Sequence, residues 1–172
     1  MNEKEQIPLE IERKYLIRMP DAAALAACAG VKIKHIRQTY LESEAGVTAR
    51  VREVVTDGKT TYIHTEKRRR TALTAEERER ELTAEEYTAL LSRADGARHP
   101  IIKTRYAIPY AGHTVEVDIY DFWSDRATAE IELSAEDETA EMPPFLTVVR
   151  EVTADRRYKN ASLAREVVFE EI

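Results

Sequence analysis

The chain has a single cysteine, Cys28, so it can form neither an internal disulfide nor a cysteine-built zinc site. That fits a reducing compartment, and the cytoplasm is the expected location. His35, His64, His99 and His113 are scattered without metal-ligand spacing and read as ordinary strand or surface residues. There is no apolar run long enough to cross a membrane, and Glu3, Lys4 and Glu5 leave no apolar signal core near the first residue. Basic excess is missing too. The net charge is −6, which argues against a general nucleic-acid binder. Glycine is scarce, five residues in 172, so each one marks a turn rather than a flexible tract. Internal repeats and low-complexity segments are also lacking. One domain spanning residues 1–172 is expected, long enough for a substantial core.

What the chain has in abundance is charge, 34% of residues against the usual quarter, and the charge is patterned. Glu10-Ile11-Glu12-Arg13-Lys14, read with a period of two, places Glu10, Glu12 and Lys14 on one face of a strand. Acid-x-acid recurs at Glu79/Glu81, Glu116/Asp118 and Glu130/Glu132, and base-x-base at Arg50/Arg52 and Lys103/Arg105, with Lys67 a single position. The intervening residues are mostly apolar, among them Ile11, Val51, Val117 and Ile131. At 78–81 arginines alternate with glutamates, so parity alone leaves open which set points inward. Cross-strand ion pairs on a solvated sheet would give the same alternation, each worth under about 1 kcal/mol. The recurrence over many strands favours a shared interior. Arg68, Arg69 and Arg70 read as a solvated loop.

The order of elements supports this. Strands are expected at Ile7–Ile17, Val31–Leu41, Val47–Val55, Lys59–Lys67, Glu76–Leu82, Ile101–Tyr110, His113–Phe122 and Ala127–Leu133. Asp21 opens a short helix to about Ala29, and Thr83 with Glu86 forms a capping box for another. Asp57-Gly58 and Ala111-Gly112 are turns. The expectation is a mainly β, α+β fold: an eight-stranded antiparallel barrel closed around a tunnel, with a few short flanking helices. Positions of one parity would line the lumen. A lumen with both acids and bases suits a polyanion bound with metal ions, because carboxylates hold Mg²⁺ or Mn²⁺ and arginine forks grip phosphate.

The series "EIERKYL", "QTYL", "ARVR", "TEK", "ERERE", "IKTRY", "VEVDIY", "AEIEL" and "RYKNASLA", in that order, resembles the CYTH superfamily, the triphosphate tunnel metalloenzymes. The resemblance runs almost the full chain. It implies a tunnel that binds a small-molecule triphosphate, with no nucleic-acid or membrane partner; a homodimer is compatible with it. Residue by residue, it implies that Glu10, Glu12, Glu130 and Glu132 hold Mg²⁺ or Mn²⁺. Lys14, Arg50, Arg52, Lys67, Lys103 and Arg105 would hold phosphate, and Glu79, Glu81, Glu116 and Asp118 would be further tunnel acids. Tyr40 matches a tyrosine that works with the motif lysine, here Lys14, in some bacterial members, although Thr39 stands where many members have glycine. The implied activity is hydrolysis of a phosphoanhydride, with inorganic tripolyphosphate the first candidate. Class IV adenylate cyclase, thiamine-triphosphatase and a non-catalytic polyphosphate-binding module remain as alternatives.

Overall fold

A computed structural model describes residues 7–172, so Glu3, Lys4 and Glu5 lie outside the described residues. The strands are β1 (Leu9–Arg18), β2 (Lys32–Leu41), β3 (Val47–Thr56), β4 (Lys59–Arg69), β5 (Thr74–Leu82), β6 (Ile101–Tyr110), β7 (His113–Tyr120), β8 (Arg126–Glu132) and β9 (Val148–Glu151). They are antiparallel, in the order β5-β4-β3-β2-β6-β7-β8-β1, and a β1–β5 pairing closes the eight into a barrel. Three short helices flank it: α1 (Ala22–Ala26), α2 (Ala84–Leu91) and α3 (Asn160–Leu163). This is the barrel that the alternation predicted.

The strand that carries Glu10, Glu12 and Lys14 is also the seam. One edge of β1 pairs with β8 from Glu12 to Arg18. The other edge is shared. Leu9–Ile11 pair with β5, and the Glu12 amide donates to the Leu73 carbonyl at 3.1 Å. The Lys14 carbonyl accepts from the Val152 amide at 2.8 Å, and Tyr15–Ile17 pair with β9. Both edges are therefore occupied along the site-bearing half, which holds its three side chains in register.

Two tight turns set the rest of the register. Asp57 and Gly58 both have positive φ, as do Ala111 and Gly112, the signature of two-residue hairpins whose twist matches the strands. The second hairpin puts Arg105 opposite Asp118. The Thr83 hydroxyl accepts from the Glu86 amide at 3.1 Å, as the capping box requires.

The apolar face of the sheet points outward, and short segments cover it. Leu25 of α1 and Leu146 pack on Ile17, Val115, Val117, Ala129 and Ile131. Tyr87 of α2 packs on Ala49, Val51 and Leu82. A third cluster, in which Leu16, Ile101 and Tyr120 meet Trp123, Tyr158 and Leu163, plugs one end of the lumen with the C-terminal segment. Val152 and Tyr40 complete it.

Some boundaries differ from expectation. Helix α1 stops three residues before Ala29, and β7 stops at Tyr120 rather than Phe122. Arg68 and Arg69 are not loop residues. They extend β4, because Glu76 and Ala75 continue the ladder opposite them, and only Arg70 lies in the turn.

Candidate functional site: a charged barrel lumen

The lumen holds two connected chambers of about 380 and 510 Å³ that share Glu10, Arg50, Arg105 and Glu116. The smaller contains Glu12, Lys14, Tyr40, Lys67 and Glu130, beside the plugged end. The larger contains Arg52, Glu79 and Glu132 with apolar Leu9, Ile36, Val54 and Ile63. The parity at 78–81 thus resolves in favour of the glutamates, with Glu79 facing the lumen and Arg78 and Arg80 outside. Glu81 has the same parity but is exposed at the rim and lines neither chamber. Glu132 is paired across the sheet with Glu12 yet faces the other chamber, alongside Glu10 and Glu116.

The bases of the two walls are in different states. On the β6–β7 wall, Asp118 is fully buried and takes Lys103 at 2.8 Å and both Nε and Nη2 of Arg105, at 2.7 and 2.8 Å. Arg105 also reaches Glu116 at 3.0 Å. Burial alone would raise the Asp118 pKa, but Arg105 and Lys103 outweigh it and hold the acid ionised. On the β3 wall, Arg52 meets Glu79 at 2.7 Å. Arg50, its neighbour two residues away, has no carboxylate within ion-pair distance among the described residues, and its Nε is buried without a hydrogen-bond partner. A buried guanidinium of this kind needs an acceptor.

The acids of β1 are crowded. Lys67 contacts Glu10, stands 3.4 Å from Glu77 and is 4.0 Å from Glu12. Lys14 pairs with Glu130 at 3.2 Å. Burial tends to protonate Glu130, but Lys14, Arg105 and Lys103 hold its pKa well below the carboxylate range. Glu12 goes the other way: burial, Glu130 and Glu10 push its pKa up to about 8. Burial works against the charge on Lys14, yet the groups around it, Glu130, Glu12 and Asp118 among them, keep it a cation. Among the described residues no three acids already converge in ligating geometry. The donor set nevertheless fits a hard divalent cation, which takes carboxylate oxygens. Glu10, Glu12 and Glu130 are all oxygen donors, and the crowding that disfavours the charge on Glu12 is what a cation relieves.

Several lining residues escaped the sequence reading. Glu77 faces the lumen between Glu10 and Lys67, and burial and Glu10 raise its pKa to about 7. The alternation through Glu79 and Glu81 extends back to it and could have found it. Arg69, Arg98, Arg156 and Lys159 line the smaller chamber, with Asn160 and Ser162 of α3 beside them. Burial, Arg69 and Lys14 lower the Lys159 pKa to about 8. Lys159 lies within "RYKNASLA", so its neighbourhood was flagged although its role was not. Arg98 sits in the segment between α2 and β6 and carried no periodic signal.

Three comparisons bear on this site. No curated protein matches the chain at a significant level. Among solved structures, the inorganic triphosphatase NE1496 is 27% identical over 91% of this chain and 94% of its own, with a TM-score of 0.56. A second structure of NE1496, described as a hypothetical protein, matches over 92% and 99% with a TM-score of 0.57. The protein PH1819 from Pyrococcus horikoshii OT3 shares the fold, with a TM-score of 0.56 at 18% identity over 74% of this chain and 80% of that one. The CYTH domain model matches residues 8–166, nearly the whole charged barrel, and the chain belongs to the CYTH domain family.

Proposed function

We propose that the protein is a divalent-metal-dependent hydrolase of triphosphates, with inorganic tripolyphosphate as the substrate, working as a single domain in the cytoplasm. The observation that carries this reading is the lumen itself. It combines buried acids able to hold a cation with buried bases able to hold phosphate, and one of those bases, Arg50, has no protein counter-ion among the described residues. The similarity to a structure described as an inorganic triphosphatase supports the choice of substrate.

In this reading Arg50 and Arg52 grip phosphate oxygens from the β3 wall, Arg50 with the greater freedom. Lys14, Lys67 and Lys159 act as point charges around the chain of phosphates. Lys103 and Arg105 act through Asp118, with the Arg105 fork held in a fixed orientation. Glu10, Glu12 and Glu130 would hold Mg²⁺ or Mn²⁺, with Glu132 placed for the larger chamber. The cation supplies charge neutralisation on the phosphates and a more acidic bound water. Catalysis of this type rests on positioning and electrostatic stabilisation of the transferring phosphoryl group.

The test is phosphate release from tripolyphosphate, ATP and thiamine triphosphate with Mg²⁺ or Mn²⁺, with cyclic AMP measured in parallel. Tripolyphosphate should be the fastest, and chelation of the metal should abolish turnover. Glu10→Gln and Glu12→Gln should each lose metal-dependent turnover while staying folded. Unchanged activity in both variants would sink the site assignment, and cyclic AMP as the main product would reassign the reaction.

A further inference from the structure

The two chambers lie toward opposite ends of β3 and meet the surface with opposite charge. The larger has Val54 and Ile63, next to the β3–β4 turn, in its wall and opens among exposed Leu9, Glu79 and Glu132. Of the charged side chains that line it alone, three are acids and two are bases. The smaller has Gly46, Val47 and Thr48, at the β2–β3 turn, in its wall. It lies beside the C-terminal plug, but that plug is one-sided. Tyr158 and Leu163 pack with Leu16, Tyr40, Ile101 and Tyr120, and among the described residues the cluster holds none from β3 or β4. On that uncovered side the chamber runs out from buried Lys14 and Glu130 to exposed Gly46, Arg69 and Arg156.

This second mouth is rimmed by bases. Six bases and two acids line the smaller chamber alone, and both acids, Glu12 and Glu130, sit deep, beside Lys67 and Lys14. The rim itself carries Arg69, Arg98, Arg156 and Lys159. Of these, only Arg98 has an acid within ion-pair distance among the described residues, Asp95 at 3.5 Å. Glu42 and Glu44, beside the β2–β3 turn, line a groove on the outside of the barrel instead. Burial and the neighbouring Arg69 lower the Lys159 pKa, so these bases share one field. In a chain of net charge −6, such a ring draws in a polyanion, while the acids at the other mouth turn one away.

We propose that this basic mouth is the port through which the inorganic polyanion enters the lumen, and that Arg69 and Arg156 form an outer anion-binding station that captures it and hands it inward to Lys159 and Arg50. This rests on the triphosphatase reading. Both arginines are exposed at the rim, so they set the rate of capture and leave the chemical step alone.

The experiment measures kcat and kcat/KM for tripolyphosphate with Mg²⁺ or Mn²⁺, over a range of ionic strength. The proteins are wild type, Arg69→Gln, Arg156→Gln, the pair, and Lys34→Gln as the matching charge removal in the larger chamber. At low salt each arginine variant should lose roughly two- to fivefold in kcat/KM, and the pair more, with kcat held. The loss should fade toward about 0.5 M salt, where exposed charges are screened. Lys34→Gln should show the smaller, flatter change. A second arm separates a port from a mere field. In a Cys28→Ala background, Arg156→Cys carrying a bulky neutral maleimide should lose more kcat/KM than Arg156→Gln, and the excess should persist at high salt. Melting temperatures check that each variant keeps its fold. A double variant with wild-type kcat/KM at low salt overturns the capture station, as does a loss confined to kcat. A larger salt-dependent loss in Lys34→Gln, or a labelled protein no slower than Arg156→Gln, overturns the port. A wild-type protein that neither binds nor hydrolyses tripolyphosphate overturns the triphosphatase reading itself, and that outcome is visible without any variant.

Discussion

The β3 wall and the β6–β7 wall carry the same base-x-base pattern and use it in opposite ways. Lys103 and Arg105 are paired within the wall: one buried carboxylate, Asp118, holds both, and Arg105 also reaches Glu116. Among the described residues Arg50 has no ion-pair partner, while Arg52 pairs with Glu79, a half-exposed acid, and reaches the Thr65 hydroxyl. Period-two alternation brings both pairs into the lumen, but how far a base is already paired depends on the acid across the next strand. The β6–β7 turn supplies Asp118 opposite Arg105, whereas β2 supplies Tyr40 and Gln38 opposite Arg50 and Arg52.

The contrast can be broken most sharply at Asp118. Asp118→Asn leaves the buried Lys103 without its counter-ion and Arg105 with Glu116 as its nearest acid, and should cost about 3–5 kcal/mol, read as a lowered denaturant midpoint. A variant with wild-type stability would mean that the wall is not a scaffold. Arg50→Ala should show the complementary behaviour. Its melting temperature should hold while tripolyphosphate affinity falls by roughly ten- to a hundredfold, as expected for lost hydrogen bonds to a charged group. Arg50→Lys should recover only part of that, because an ammonium cannot fork.

A smaller effect is expected from pH at Lys159. Its lowered pKa of about 8 means that it loses its charge as pH rises through that value, so KM for tripolyphosphate should climb above pH 8. Lys159→Arg should move that limb to higher pH, and an unmoved limb assigns it to another group. The smallest effect concerns the C-terminal strap. Arg157 and Arg150 lower the Asp155 pKa to about 2, and Tyr158, Arg150 and Arg157 do the same for Glu170. Their folded pKa values lie below the ordinary 3.8 and 4.5, so the stabilisation is complete above those values and is lost as pH falls toward 2. Tryptophan fluorescence should report this, because the Trp123 indole donates to the Val168 carbonyl at 2.9 Å within the same strap. Glu170→Gln should weaken the transition without touching turnover at neutral pH.

Much of the barrel was legible because side-chain direction in a strand has a period of two, and an acid or base at every second position leaves few arrangements. Glu10, Glu12, Lys14, Arg50 and Lys67 could be placed in a shared lumen on that ground. Depth along the axis was not legible. Glu12 and Glu132 are cross-strand partners of the same parity, yet the tilt of the strands sends them to different chambers. Commitment was not legible either, since Asp118 and Glu116 look alike in sequence while only Asp118 is wholly buried between two cations. Arg98 and Lys159 reach the lumen from segments without strand periodicity, and tertiary packing alone puts them there.

The shared edge of β1 has a consequence for how the molecule is made. The Lys14 amide donates to the Thr153 hydroxyl at 2.9 Å, across 139 residues of sequence, and β1 pairs with strands drawn from both the middle and the end of the chain. Contacts of such separation form late and slowly. As the polypeptide leaves the ribosome, Glu10, Glu12 and Lys14 emerge well before the residues that become their neighbours. The charged lumen cannot exist in a half-made chain, and nascent β1 must be kept from other partners until Val152 and Thr153 arrive.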